Sequence, residues 1–146
     1  METGALLLLG LAIVIADLGL KQLVRERLAC APLSLGPLGC LRTVTGRLWL
    51  VRAERRVPVL AAWVLWALLA APLVVVSVWL PACRVPVCLL LAGSVSNLLE
   101  HAARGGITDY VCLRGWPAFN LADVALTAGA LSVLATSLVP AAAAIA

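Results

Sequence analysis

At 146 residues, 64% of them hydrophobic and only 12% charged, the chain has more apolar surface than a soluble domain of its size buries, so the bilayer is its expected solvent. Its net charge of +4 comes from basic residues that flank apolar segments with no aromatic or glycine pattern between them. This argues against nucleic acid and for anionic lipid headgroups as the partner.

The expected architecture is an all-α membrane protein: one integral membrane domain over residues 1–146, built as a four-transmembrane-helix bundle. A spanning sheet must close into a barrel, and the long unalternating Leu/Val/Ala runs do not read as barrel strands. The first span is expected at 5–24. It superficially resembles a signal peptide but lacks a basic leading region and a small-residue cleavage site, so it is read as a retained helix. Asp17 and Lys21 stand i, i+4 on one face of that span and form an ion pair, most simply a structural one.

Next comes an arginine-rich connection, 25–56, whose patch "LRTVTGRLWLV" predicts a few short strands on the membrane surface, a small irregular β-containing loop after the first helix. The second span is placed at 57–80, with Pro72 as a possible kink. A short turn at Pro81 and Arg84 leads to the third span, 85–99. A second connection, 100–120, precedes the fourth span, 121–139, which Pro140 is expected to end. An even number of spans puts both larger connections on one side. Eight basic residues lie between Lys21 and Arg56 and two more in 100–120, against Arg84 alone on the other side; by charge bias the larger connections belong in the cytoplasm.

The five cysteines make no C-x-x-C pair and His101 is the single histidine, so no metal site is expected. Cys83 and Cys88 read as small hydrophobes. Cys30 and Cys40 could bond to each other if their loop faces an oxidising compartment, and the odd count argues against a full disulfide framework.

Two acids in the second connection carry the chemistry. Asp109 follows Gly105 and Gly106, which permit a sharp turn after the third helix. Asp123 opens the fourth helix behind "WPAFN", in which Trp116 can anchor at headgroup level and Asn120 can cap the helix. Each acid has a bland reading, Asp109 as a solvated loop acid and Asp123 as a complement to the helix dipole. Yet both flank one reversal on one side of the membrane. Converging carboxyls tend to share a proton, leaving one as base toward a water and the other as proton donor to a scissile carbonyl. The helix N-terminus favours the ionised form of Asp123, making it the expected base.

The segment "NLLEHAARGGITDYVCLRGWPAFNLAD", residues 97–123, resembles the signature region of signal peptidase II, the aspartyl peptidase that processes bacterial prolipoproteins. The match runs through Asn97, Gly105, Ile107, Asp109, Tyr110, Trp116, Pro117, Phe119, Asn120, Ala122 and Asp123. "ADLGLK" is similar to the family's D-x-x-x-K at the end of its first span. The resemblance implies Asp109 and Asp123 as the catalytic pair, with Asp17, Lys21, Asn97, Glu100 and Asn120 supporting the site. It implies diacylglyceryl-modified precursors as substrates, cut on the amino side of the lipidated cysteine. It further implies no cofactor, a monomer among membrane phospholipids, and a place in the bacterial inner membrane with the active site toward the outer face, against the charge bias. The chain departs from the family at Glu100-His101, where Asp-Arg is usual, and in the first large loop, where Thr43 or Thr45 replaces an asparagine. These departures keep open a second possibility, a catalytically idle or specificity-altered relative that binds lipidated peptides. A third, a proton carrier, is disfavoured because both acids lie at one membrane face.

Overall fold

The structure, a computed structural model, describes residues 3–28, 31–46 and 58–143. Four helices dominate it: α1 (Thr3–Leu28), α2 (Val59–Trp79), α3 (Arg84–Arg104) and α4 (Leu121–Ala143). Three segments, Thr3–Leu28, Val59–Trp79 and Pro81–Arg104, are long and apolar enough to cross a membrane, and Leu121–Thr136 is a shorter apolar stretch of α4. The chain is an integral membrane protein.

The helices are built inside out relative to a soluble bundle. On α1, Leu7, Leu8, Leu11 and Ile15 are exposed, while the buried residues are Asp17, Lys21 and Val24. Lipid solvates the leucines as well as a core would. The charged groups therefore gain most from the interior, where they find each other. α3 is the central helix and packs against α1, α2 and α4.

Small residues set its approach to α4. An added Cβ at Gly129 would lie 2.6 Å from both the Leu90 amide nitrogen and the Pro86 carbonyl oxygen, and one at Gly93 would run into the Ala122 carbonyl oxygen. Backbone contact this close needs glycine. Gly129→Ala is accordingly expected to force the helices apart and cost about 1–3 kcal/mol, measurable as a lower thermal midpoint in detergent.

Three helices overrun their expected bounds, the first of them α1, which reaches from Thr3 to Leu28 against the expected 5–24. α3 continues five residues beyond Leu99, to Arg104, because the polar residues that end its apolar run, Glu100 and His101, are buried and not solvent-facing. Gly105, with φ of 73°, then stops it through its N–H to the His101 carbonyl. α4 runs through Pro140 to Ala143. The proline removes one N–H but does not end the helix, and the alanines after it carry the turn on.

The described strands are β1 (Leu33–Ser34), β2 (Gly39–Gly46) and β3 (Ile107–Leu113), in the antiparallel order β1-β2-β3. β2 takes the first half of the β-branched patch in the first connection. The rest of that patch falls in 47–57, outside the described residues. β3 was not anticipated. The second connection contributes a strand as well as turns, its Ile107, Thr108, Tyr110 and Val111 favouring a pleated surface. Pairing of Cys40 with Cys112 and Val44 with Asp109 joins the two larger connections at one end of the bundle, and the register shifts between Leu41 and Val44.

Candidate active site

The start of α4 is held from three directions. Its first helical N–H groups have no partner within the helix. That of Leu121 donates to the Tyr110 hydroxyl of β3 (3.1 Å), that of Ala122 to Asp17 Oδ1 of α1 (2.9 Å), and that of Asp123 to Asn120 Oδ1 (2.9 Å). In return, Asp123 Oδ2 accepts the Asn120 backbone N–H at 3.1 Å. Asn120 and Asp123 thus form a reciprocal cap, which fixes the carboxyl of Asp123 in the first turn.

Asn120 also reaches the second acid. Its Nδ2 donates to Asp109 Oδ1 at 2.7 Å and to the Thr108 carbonyl oxygen at 3.4 Å. The two aspartates flagged in the sequence are therefore tied through one buried asparagine, and neither stands as a free loop acid. Burial, and then the nearby charge of Asp123, push the Asp109 carboxyl up from 3.8 to about 6; the Asn120 hydrogen bond and Lys21 offset part of this.

Behind the pair lies a buried charge cluster. The Lys21 ammonium, fully buried, meets three acceptors: Asn97 Oδ1 at 2.6 Å, Asp17 Oδ2 at 2.7 Å and Glu100 Oε2 at 3.2 Å. All three of its protons have a partner. Asn97 passes the contact on, its Nδ2 donating to Asp123 Oδ1 at 2.9 Å. Ser96 donates to Asp17 Oδ2 at 2.6 Å. The Asp17–Lys21 pair is thus no interfacial anchor but the hub joining α1, α3 and α4.

Glu100 fastens β3. It accepts the Thr108 backbone N–H at 3.0 Å and the Thr108 hydroxyl at 2.6 Å. Arg25 donates to the same carboxylate and, at 2.8 Å, to Thr108 Oγ1. Four carboxyl groups, at residues 17, 100, 109 and 123, thus share their surroundings with two cations, Lys21 and Arg25. That imbalance favours keeping one proton in the cluster, in keeping with the raised Asp109.

Residues 9–139 match the family model described as signal peptidase (SPase) II. The chain belongs to the signal peptidase II family. Among its relatives, the lipoprotein signal peptidase of Moorella thermoacetica is 38% identical over 61 residues, covering 42% of this chain and 41% of that protein. That of Methylorubrum extorquens is 33% identical over 91 residues, covering 56% and 53%. The aligned segments thus span about half or less of those relatives' lengths. Two solved bacterial membrane enzymes share the fold with a TM-score of 0.78, at 19% and 18% identity, over 93% of this chain and 88% and 94% of theirs.

Within this signal peptidase II chain, all seven residues singled out from the sequence (Asp17, Lys21, Asn97, Glu100, Asp109, Asn120 and Asp123) join one network. Arg25, Ser96, Thr108 and Tyr110 belong to it too and were not singled out. Arg25 was legible, standing i+4 from Lys21 and i+8 from Asp17 on the same helix face. It supplies from α1 a guanidinium for Glu100, which His101, next in sequence, does not. Both ring nitrogens of the buried His101, and the hydroxyl of Thr43 at the register shift in β2, lack a protein partner among the described residues.

Proposed function

We propose that this protein is a membrane-embedded aspartyl endopeptidase that removes signal peptides from diacylglyceryl-modified bacterial prolipoproteins, cutting on the amino side of the lipidated cysteine. The observation that carries this reading is the hold of Asn120 on both acids, Asp109 through its amide and Asp123 through the reciprocal cap. Membership of the signal peptidase II family supports it.

The two acids differ in a way that supports distinct roles for them. Both Asp123 oxygens accept hydrogen bonds from fixed N–H donors, Asn97 and the Asn120 backbone, as suits a carboxylate acting as base. Asp109, pushed up to about 6, holds a proton to donate at a higher pH than an ordinary aspartate does. Asp123 takes a proton from a water, whose oxygen attacks the scissile carbonyl carbon while Asp109 protonates the carbonyl oxygen. When the tetrahedral intermediate collapses, the departing nitrogen takes the proton from Asp123 and the carbonyl oxygen returns one to Asp109. The pair ends as it began, having supplied both proton transfers.

α4 is the fourth span, and the single membrane domain acts as a monomer among phospholipids of the inner membrane. The sheet and the acid pair face its outer side, overriding the arginine bias. There the substrate's acyl chains stay in lipid while its scissile bond meets water at headgroup level.

Purified protein in lipid-doped micelles should convert a diacylglyceryl-modified precursor peptide into a product with a lipidated amino-terminal cysteine and leave the unlipidated peptide intact. Saturable binding of the lipidated precursor with no product would instead identify the idle relative. Arg25→Gln is expected to lower kcat/KM about tenfold by freeing Thr108 and its neighbour Asp109, since hydrogen bonds to charged groups are worth about 1.5–3 kcal/mol. Arg25→Lys should recover part of the loss in the same assay.

A further inference from the structure

Cys40 and Cys112 are direct partners across β2 and β3. Neither is deeply buried, and both are free thiols. Directly opposed residues in an antiparallel pair have Cα atoms about 4.5–5.5 Å apart and side chains on the same face. Disulfides span Cα separations of about 4.4–6.8 Å. Arg42, two residues from Cys40, lies across the strand boundary with its Nε 3.5 Å from Cys112 Sγ. This contact places the guanidinium directly beside one of the two sulfurs.

We propose that Cys40 and Cys112 form a disulfide that ties the first connection to the strand carrying Asp109. The proposal rests on the outward orientation of the sheet, because disulfides persist on the oxidising side of the inner membrane. The bond forms by exchange. The Cys112 thiolate attacks one sulfur of a disulfide-bonded protein oxidant, whose other sulfur leaves as thiolate. Cys40, giving up its own proton, then attacks Cys112 Sγ in the mixed disulfide and releases the oxidant as a dithiol. The two protons from the cysteines balance the two thiols formed on the oxidant, which has accepted two electrons.

The bond closes three residues beyond Asp109 in β3 and directly beside the register shift that follows Leu41 in β2. It therefore restrains the strand that presents one acid of the pair. It also pairs Cys40 differently from the Cys30–Cys40 bond conceivable from sequence; Cys30 lies outside the described residues.

The test is peptide mapping of the full chain from bacterial membranes, with free thiols blocked by maleimide at lysis and no reductant added. The expected result is a Cys40 peptide joined to the Cys112 peptide, two hydrogens lighter than the separate peptides and released by dithiothreitol. Reduction should lower the thermal midpoint of wild type and leave that of Cys40→Ser unchanged. Maleimide on both cysteines, or a Cys30–Cys40 link, would overturn the proposal.

A membrane-impermeant maleimide applied to spheroplasts separates the two possible failures. Labelling of Cys40 and Cys112 from outside without reductant rejects the disulfide and keeps the outward orientation. Labelling only after lysis rejects the orientation and the disulfide with it.

Discussion

Asp109→Asn and Asp123→Asn should each lower precursor cleavage by about two to four orders of magnitude, the usual contribution of a positioned acid or base, while the protein still inserts and folds. Either amide can remain in the hydrogen-bonded cluster, but neither can exchange a proton with water or with the carbonyl oxygen. The measurement is product formation by gel shift, alongside the thermal midpoint; undiminished turnover in either variant would reject the two-acid mechanism. The variants also differ in their pH behaviour. With Asp109 at about 6 against its ordinary 3.8, the folded protein holds a proton that the unfolded chain has released. The stability that this group contributes is therefore fully present below about pH 4 and is lost as the pH rises through about 6. Asp109→Asn has no such loss and should exceed wild type in thermal midpoint at neutral pH, with the difference closing in acid. In wild type, cleavage should decline as the pH rises through about 6 and Asp109 gives up the proton that it donates. A bound lipid-tailed peptide displaces water and pushes that decline to higher pH.

Lys21→Met should be the most damaging single change to stability. Its ammonium is fully buried among Asp17, Asn97 and Glu100, and removing one partner of such a group leaves uncompensated charge in a low-dielectric interior, at about 3–5 kcal/mol. The expected readout is a sharply lower thermal midpoint in detergent and poor recovery from membranes. Asp17→Asn with Lys21→Met removes both members of the closer of Lys21's two ion pairs and should recover part of the loss, a non-additivity that a double-mutant cycle measures directly. The exposed Gln22–Glu26 contact on the same helix provides the contrast. Glu26→Gln should leave the midpoint within about half a kcal/mol equivalent.

The helices and their order were legible because lipid imposes long uninterrupted apolar runs, and runs of that kind are visible without neighbours. The acid pair was legible because carboxylates beside such runs need a reason. What the sequence hid is instructive at particular residues. The apolar run of the third span ends at Leu99, yet α3 continues through Glu100 and His101, because in this bundle the polar face is the inner one. β3 was hidden beneath its own acid. Asp109 and two glycines make 105–113 read as a turn, while the strand depends on pairing with β2, more than sixty residues away, a distance that no local pattern spans. Arg25 was passed over as one of many arginines near a helix end, although its spacing from Asp17 and Lys21 marks the buried stripe. Asn120, which ties the two acids together, was legible only as a helix cap, and Asn97, which links Asp123 to Lys21, came through motif resemblance alone; as neutral amides they give little sign of function on their own.

The three-way hold on the first turn of α4 has a consequence for biogenesis. The site draws Asp17 and Lys21 from the first helix, Asn97 from the third, Asp109 from the strand and Asp123 from the last helix, and no two neighbouring segments contain it. If the proposed function holds, a chain entering the bilayer one segment at a time carries no working hydrolytic centre until α4 docks. On the proposed reading, the nascent protein is silenced by incompleteness and gains the power to cut only on reaching the assembled state.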